Sequence, residues 1–205
     1  MSTKPKNAFR NRASLDPDTM NRIELAVLEV FSKVDFHEAN MREVAKQARV
    51  SLNTIYQNFS SKEGLLFFFV DRWLKGLTER TIDHLQGIED LKERLRKAFW
   101  LQIDFYEKHI AVGRILFFSV PFQKWMADKT FRQKKLFEVF LDVMKKGQRE
   151  GKLSKKVRAG TLIDIMNGIF YRSFTMWIYR GQKGNLTSQA DVLFEMYWRA
   201  ISTDG

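Results

Sequence analysis

Apolar residues recur at spacings of three and four along almost the whole chain, and no useful length alternates with the period of two that a strand requires. The pattern predicts an all-α protein. A first helix starts near Asp16-Pro17, an acidic cap with proline at the first helical position, and Ile23, Ala26, Val27, Val30 and Phe31 form its apolar stripe. Residues 1–15 before it read as a mobile, basic, uncapped arm carrying Lys4, Lys6, Arg10 and Arg12. After a break at KVDFHEA, Asn40 and Glu43 have the spacing of a reciprocal capping box, opening a short helix with Val44 and Ala48 inward. Ser51 caps the next short helix, LNTIYQNF, where Ile55 and Phe59 lie four apart on the buried side. Ser60 and Glu63 form a second box spacing, at the head of a long helix over roughly 61–85.

Two helices of about two turns, separated by RVS, match a helix-turn-helix, and such a pair needs a third helix behind it to bury its apolar faces. The 16–31 segment supplies that helix. Beyond residue 86 the pattern predicts helices at about 89–108, 111–118, 122–127, 130–150, 156–180 and 187–202, with no internal repeat. The 156–180 helix carries two apolar rows, Ile163, Phe170, Phe174 and Ile178 on one and Leu162, Met166, Ile169 and Trp177 on the other. Two rows predict burial on two sides.

Composition narrows the chemistry. The 205 residues contain no cysteine, so thiolate metal sites, disulfides and cysteine catalysis are excluded, and a reducing cytoplasm is compatible. MSTKPKNAFRNR lacks the apolar core of a secretory leader, and the longest apolar runs, LLFFFV and ILFFSVPF, are far too short to span a bilayer. A cytoplasmic protein without a membrane span is expected. His37, His84 and His109 are far apart and form no metal-ligand pair, and neither a phosphate loop nor a nucleophile elbow is present, so no metal, cofactor or enzymatic activity is expected. The net charge of +11 divides as +2 over residues 1–85, +9 over 86–160 and zero over 161–205. It suggests a polyanionic partner without locating the surface that meets it.

The stretch AVLEVFSKVDFHEANMREVAKQARVSLNTIYQNFSSKEGLL, residues 26–66, resembles the DNA-binding domain of the tetracycline-repressor (TetR) family of bacterial transcription regulators. The order of elements, REVAKQA, the VS turn, TIYQNF and SKEGLL carry the resemblance. GQREGKL and the long helix after it are similar to a later helix connection of the family. The resemblance implies a helix-turn-helix domain at 16–62 and a helical ligand-binding and dimerisation domain at 63–205. It implies a homodimer that binds an inverted-repeat operator in double-stranded DNA and, as a repressor, is released by a small molecule. Two positions depart from the family pattern: Arg49 and Asp35 stand where glycine is usual. Aspartate tolerates a left-handed backbone better than arginine does.

A major groove admits one helix, whose polar side chains reach base edges while flanking groups grip phosphates. Asn53 and Gln57, four apart on the exposed face, are candidates for base hydrogen bonds, and Leu52 either meets a thymine methyl or packs into the core. Asn40, Arg42, Ser51, Thr54, Tyr56 and Lys62 complete the expected DNA contacts. Of these, Thr54, Tyr56 and Lys62 match family positions that hold the phosphate backbone.

Aromatic residues concentrate in the C-terminal helices, where most must form core. The resemblance implies that some line an effector cavity, and the candidates are Trp73, Phe99, Ile103, Tyr106, Phe117, Phe122, Phe140, Asn167, Phe170 and Phe174. Met166, Ile169, Trp177, Leu193, Met196, Tyr197 and Ala200 are the candidate dimer interface, as apolar ridges on the last two long helices. The aromatic content and the basic balance of residues 86–160, with Lys92, Arg94, Arg96, Lys97, Arg114 and the run from Lys145 to Arg158, together suggest a hydrophobic, anionic effector such as a fatty acid or its coenzyme A thioester. The same charge also fits solvated helix faces, or a non-regulatory protein that binds DNA or a membrane surface.

Overall fold

A computed structural model describes residues 15–119 and 133–203, which divide into two compact units: 15–73 with 111–119, and 74–110 with 133–203. The first unit thus takes in residues 63–73 and 111–119, segments that the linear reading assigned to the C-terminal domain. Among the described residues there is no strand, only an isolated antiparallel bridge between Leu153 and Ser202.

The first unit begins with α1 (Pro17–Phe31), capped by Asp16, whose carboxylate accepts the Thr19 N–H at 2.9 Å. Its expected stripe, Ile23, Ala26, Val27, Val30 and Phe31, is buried. α2 (Met41–Ala48) is capped by Asn40, whose side-chain oxygen accepts the Arg42 N–H at 2.9 Å. Only half of the expected box forms there: the Glu43 carboxylate accepts from Gln47 at 3.0 Å, one turn further along the helix. α3 (Leu52–Phe59) is capped by Ser51, and α4 (Lys62–Gly87) follows after two serines.

The expected Ser60 cap is shifted by one residue. Ser60 has φ 63°, closes α3 and donates its N–H to Tyr56 O, so it cannot also open the next helix. Ser61 does so, with Oγ accepting the Gly64 N–H at 2.9 Å. Gly64 is needed for close approach, since a Cβ there would lie 2.3 Å from Phe59 O. Behind this corner Phe59, Phe68, Phe69 and Trp73 form a run of ring contacts. α6 (Ile110–Arg114) runs on into a π-helical turn, Ile115–Ser119, that packs on α1. The helix expected at 122–127 and the basic arm up to residue 14 lie outside the described residues.

The second unit contains α5 (Leu91–Lys108), α7 (Gln133–Arg149), α8 (Ala159–Tyr179) and α9 (Ala190–Ile201), the last preceded by a 3-10 turn, Thr187–Gln189. α8 corrects the two-sided reading. Leu162, Ile163, Met166, Phe170, Phe174 and Trp177 are all buried, while Asp164, Asn167, Gly168, Tyr171, Arg172 and Tyr179 are exposed. At 3.6 residues per turn the two apolar rows are adjacent, so they form one broad sector that a single protomer covers.

Candidate nucleic-acid interface

α3 has eight residues, too few to be stable in isolation, so neighbours must hold it. Ile55 and Phe59 supply the hold, at 0% and 1% exposure. At the N-terminus Ser51 Oγ accepts the Thr54 N–H at 2.9 Å and lies 2.8 Å from the Thr54 hydroxyl. Further along, Asn58 is buried and its side-chain amide donates to Thr54 O at 2.8 Å. With its inner side locked, the helix presents Asn53, Tyr56 and Gln57 outward on one face, all exposed, with Leu52 and Thr54 half-buried beside them. Leu52 therefore keeps a partly accessible edge.

Arg42 is exposed on α2, and so is Lys46, one turn further along the same face. Sequence reading missed Lys46, although its i+4 spacing from Arg42 was a usable signal. Arg49 ends α2 in the left-handed region, with φ 55° and ψ 45°, and its N–H reaches the carbonyls of Ala45 and Lys46. This is a helix stop of the kind glycine normally occupies, made here by a residue with a Cβ. Asp35 needs no such allowance: it is not among the described non-glycine residues with positive φ, which are Arg49, Ser60 and Gln182.

Lys62 is placed differently from the expectation. Its ammonium lies 2.6 Å from Phe36 O, 3.1 Å from Ala39 O and 3.2 Å from His37 O, and 4.6 Å from the Phe36 ring centre. An ammonium has three donors, and three carbonyls take them. The charge is spent inside the protein, on the connection between α1 and α2, and not held out toward a phosphate.

The effector candidates separate between the units. Trp73 belongs to the first, where its indole N–H donates to Glu24 at 2.7 Å, and the half-buried Phe117 belongs there too. Phe99, Ile103, Tyr106, Phe140, Phe170 and Phe174 are all buried in the second. Tyr106 lies 5.3 Å from Phe170 and 5.9 Å from Phe174 between ring centres, and burial raises its phenol pKa well above the usual value. Asn167 does not join them: it is exposed at the edge of the buried sector of α8. Phe122 lies outside the described residues.

Several of the expected basic-rim residues are already committed. Glu195 pairs with Lys92 at 2.8 Å and with Arg96 at 2.6 Å, while Arg94 donates to Ile88 O at 2.6 Å. A surface depression of about 240 Å³ beside them sets Glu93 and Asp191 against Arg96 and Lys97, with the ring of Trp100, so it has no net positive charge. Lys145, Lys146, Arg149, Lys152, Lys155, Lys156 and Arg158 are exposed, and of these Lys152 and Lys146 pair with Glu150 at 3.2 and 3.8 Å.

Three of the dimer candidates are buried within the protomer: Met166 at 1%, Trp177 at 8% and Tyr197 at 0% exposure. They sit on the inner sector of α8 and α9, and the Tyr197 hydroxyl donates to Leu162 O at 3.2 Å. Ile169 and Leu193 are half-buried, while Met196 and Ala200 are exposed. The outer apolar surface of these helices also carries Tyr171, Tyr179 and Val192, which sequence periodicity had not singled out. Among the described residues no group of potential ligands could hold a metal ion, and no helix is long and apolar enough to cross a membrane.

Comparison with known proteins bears on the same segment. Residues 25–67 match the family described as "Bacterial regulatory proteins, tetR family". The chain is 33% identical over 111 residues to "HTH-type transcriptional activator FasR" of Mycolicibacterium smegmatis, a match spanning 54% of this chain and 50% of that protein. It is 23% identical over 186 residues to "Fatty acid metabolism regulator protein" of Bacillus subtilis, covering 88% and 93% of the two chains. In fold it is similar to the transcriptional regulator FadR from Bacillus subtilis, solved in complex with stearoyl-CoA. The TM-score is 0.75 at 18% identity, over 87% of this chain and 97% of that one.

Proposed function

We propose that this chain, which belongs to the tetR family of bacterial regulatory proteins, is a sequence-specific repressor that binds its operator as a homodimer and is released by a long-chain fatty acid or acyl-CoA. The observation that carries the DNA-reading part is the outward row of Asn53, Tyr56 and Gln57 on a short helix whose inner side is locked. Amide side chains can pair with adenine edges in the major groove, while Arg42, Lys46 and Arg49 beside them meet phosphates. Dimerisation uses the outer face of α8 and α9: Tyr171, Tyr179, Val192, Met196 and Ala200, with Ile169 and Leu193 at its margin. Two heads would then address half-sites about 34 to 36 Å apart, or a multiple of that.

The effector class is supported by similarity to Bacillus subtilis regulation of fatty acid metabolism, by a relative's name and by a structure solved with stearoyl-CoA, and by the buried aromatic cluster of Tyr106, Phe170 and Phe174. Aromatic walls suit an acyl tail, and the exposed Lys145, Arg149, Lys155, Lys156 and Arg158 suit an anionic head better than Lys92, Arg94 and Arg96, which are engaged with Glu195 and Ile88 O, do. Release requires that the ligand prefer the conformation whose head spacing mismatches the operator, because equal affinity for both states shifts nothing. The test is selection of duplexes from a random-sequence pool, followed by titration of the complex with acyl-CoAs of increasing length. Affinity should rise by up to ~0.8 kcal/mol for each methylene that becomes buried, and level off once further carbons stay in water. A flat series rejects the effector class, and recovery of no common sequence rejects the regulator.

A further inference from the structure

We infer that Ser119 and Lys62 are positioning residues for DNA reading: together they lock the connection between α1 and α2, residues 32–40, on which the placement of the reading helix depends. The inference rests on the chain being a sequence-specific DNA binder. Ser119 is the last residue of the π-helical turn and is buried. Its hydroxyl lies 2.8 Å from Phe31 O and 3.1 Å from Val34 O, and its own carbonyl accepts the Phe36 N–H at 3.0 Å. The last carbonyls of a helix have no partner within it, so a hydroxyl from 88 residues away completes the end of α1.

Lys62, the first residue of α4, grips the same connection through the carbonyls of Phe36, His37 and Ala39. Phe36 is held by both residues. Its N–H goes to Ser119, its carbonyl to Lys62, and its ring packs against Phe31 at 6.1 Å and beneath the Lys62 ammonium. A segment without a hydrogen-bond ladder of its own needs donors from elsewhere, and these two side chains provide them.

The connection ends at Asn40, which caps α2, and α2 packs on α3. Freedom in residues 32–40 therefore passes to the row of Asn53, Tyr56 and Gln57. Base hydrogen bonds are lost over small displacements, whereas attraction to phosphates tolerates them, so the two donors should govern discrimination and not general affinity. The register of the π turn matters for the grip. Each residue turns a helix by about 100°, so winding Ile115–Ser119 as an α-helix would swing the Ser119 hydroxyl away from Phe31 O.

Duplexes selected by the wild-type protein from a random pool supply the assay, with a scrambled duplex as reference. For Ser119→Ala, the ratio of the two dissociation constants should fall by roughly tenfold or more, while scrambled binding and its salt slope change by less than about twofold. Ser119→Thr keeps the hydroxyl and should restore the ratio, and Lys62→Met should lower it as Ser119→Ala does. If Ser119→Ala does not fold, Ser119→Cys, of similar size with a weaker donor, replaces it. Amide exchange reads the clasp separately: the Phe36 and Ala39 amides should exchange at least about tenfold faster in Ser119→Ala, with Val27 unchanged. An unchanged ratio, or an equal loss on both duplexes, overturns the positioning role. If the wild type selects no sequence, the DNA-reading proposal fails and the positioning role with it. Exchange at Phe36 then shows whether the clasp itself exists.

Discussion

The carboxylate of Glu107, near the end of α5, accepts the backbone N–H of Leu186 and, through its other oxygen, that of Thr187, both at 2.9 Å. These are donors at the entrance to the turn that leads into α9, where a helix start leaves N–H groups without partners. One side chain thus caps an element that lies 79 residues further along the chain. Glu107→Ala should lower stability to urea by about 1 to 3 kcal/mol, because two half-buried donors lose their acceptor. Glu107→Gln keeps one acceptor oxygen and should cost less. Equal stability of Glu107→Ala and wild type would show that water replaces the carboxylate.

Arg49 offers a stabilising substitution. Its left-handed backbone costs a residue with a Cβ about 1 to 2 kcal/mol, so Arg49→Gly should gain roughly 0.5 to 1 kcal/mol once the ~0.4 to 1 kcal/mol lost to the greater freedom of glycine in the unfolded chain is subtracted. Urea unfolding measures the gain. If Arg49 also touches a phosphate, the same variant should weaken binding to all duplexes alike and reduce the salt slope by about 0.9.

Base readers and phosphate holders should separate under substitution. Asn53→Ala and Gln57→Ala are each expected to cost about 1 to 3 kcal/mol at particular base pairs, and to relax preference there. Arg42→Ala and Lys46→Ala should weaken all sequences by similar factors. Binding to a panel of single-base-pair operator variants distinguishes the two patterns, and a sequence-dependent loss in Lys46→Ala would contradict this assignment.

Oligomerisation should respond to the outer face of α8 and α9 and not to the inner one. Met196→Glu places a charge on the proposed interface and should leave a folded monomer at micromolar concentration by sedimentation. Tyr197→Ala removes a fully buried ring and should instead destabilise the protomer by about 3 to 5 kcal/mol. A Met196→Glu dimer of undiminished affinity would move the interface elsewhere.

The Glu195 cluster predicts a pH dependence. A hydrogen bond from Lys92, together with the charges of Lys92, Arg96 and Arg199, holds the Glu195 carboxyl below the ordinary value of 4.5. A carboxyl whose pKa is lower in the folded state contributes stability above its unfolded value and loses it as pH falls through the folded one. The stability difference between wild type and Glu195→Gln should therefore be constant near neutrality, shrink below about pH 4.5 and vanish in stronger acid. Thermal unfolding across that range measures it. A difference that persisted unchanged at low pH would mean that shape, not charge, sets the contribution of Glu195.

Sequence alone determined the helices and the outward row of α3, because both are written in short-range spacing. Three- and four-residue periodicity located the elements from α1 to α9 to within a few residues, and the Ser51 cap with Ile55 and Phe59 inward leaves Asn53, Tyr56 and Gln57 facing outward. Tertiary structure decided what depends on partners distant in the chain. Periodicity shows that Leu162, Met166, Phe170 and Trp177 share a sector, but not whether the protomer or a second copy covers it; their burial within one chain moves the proposed contact to Tyr171 and Met196. A lysine at the head of a helix beside a DNA-reading element looks like a phosphate ligand until the carbonyls of residues 36, 37 and 39 are brought within reach of its three donors. Ser119 carries no local signal at all. Its role is visible only where the chain folds back to place one hydroxyl against the last carbonyl of α1 and that of Val34 just beyond it, because backbone groups left over by local structure must be satisfied by whatever the fold brings to them.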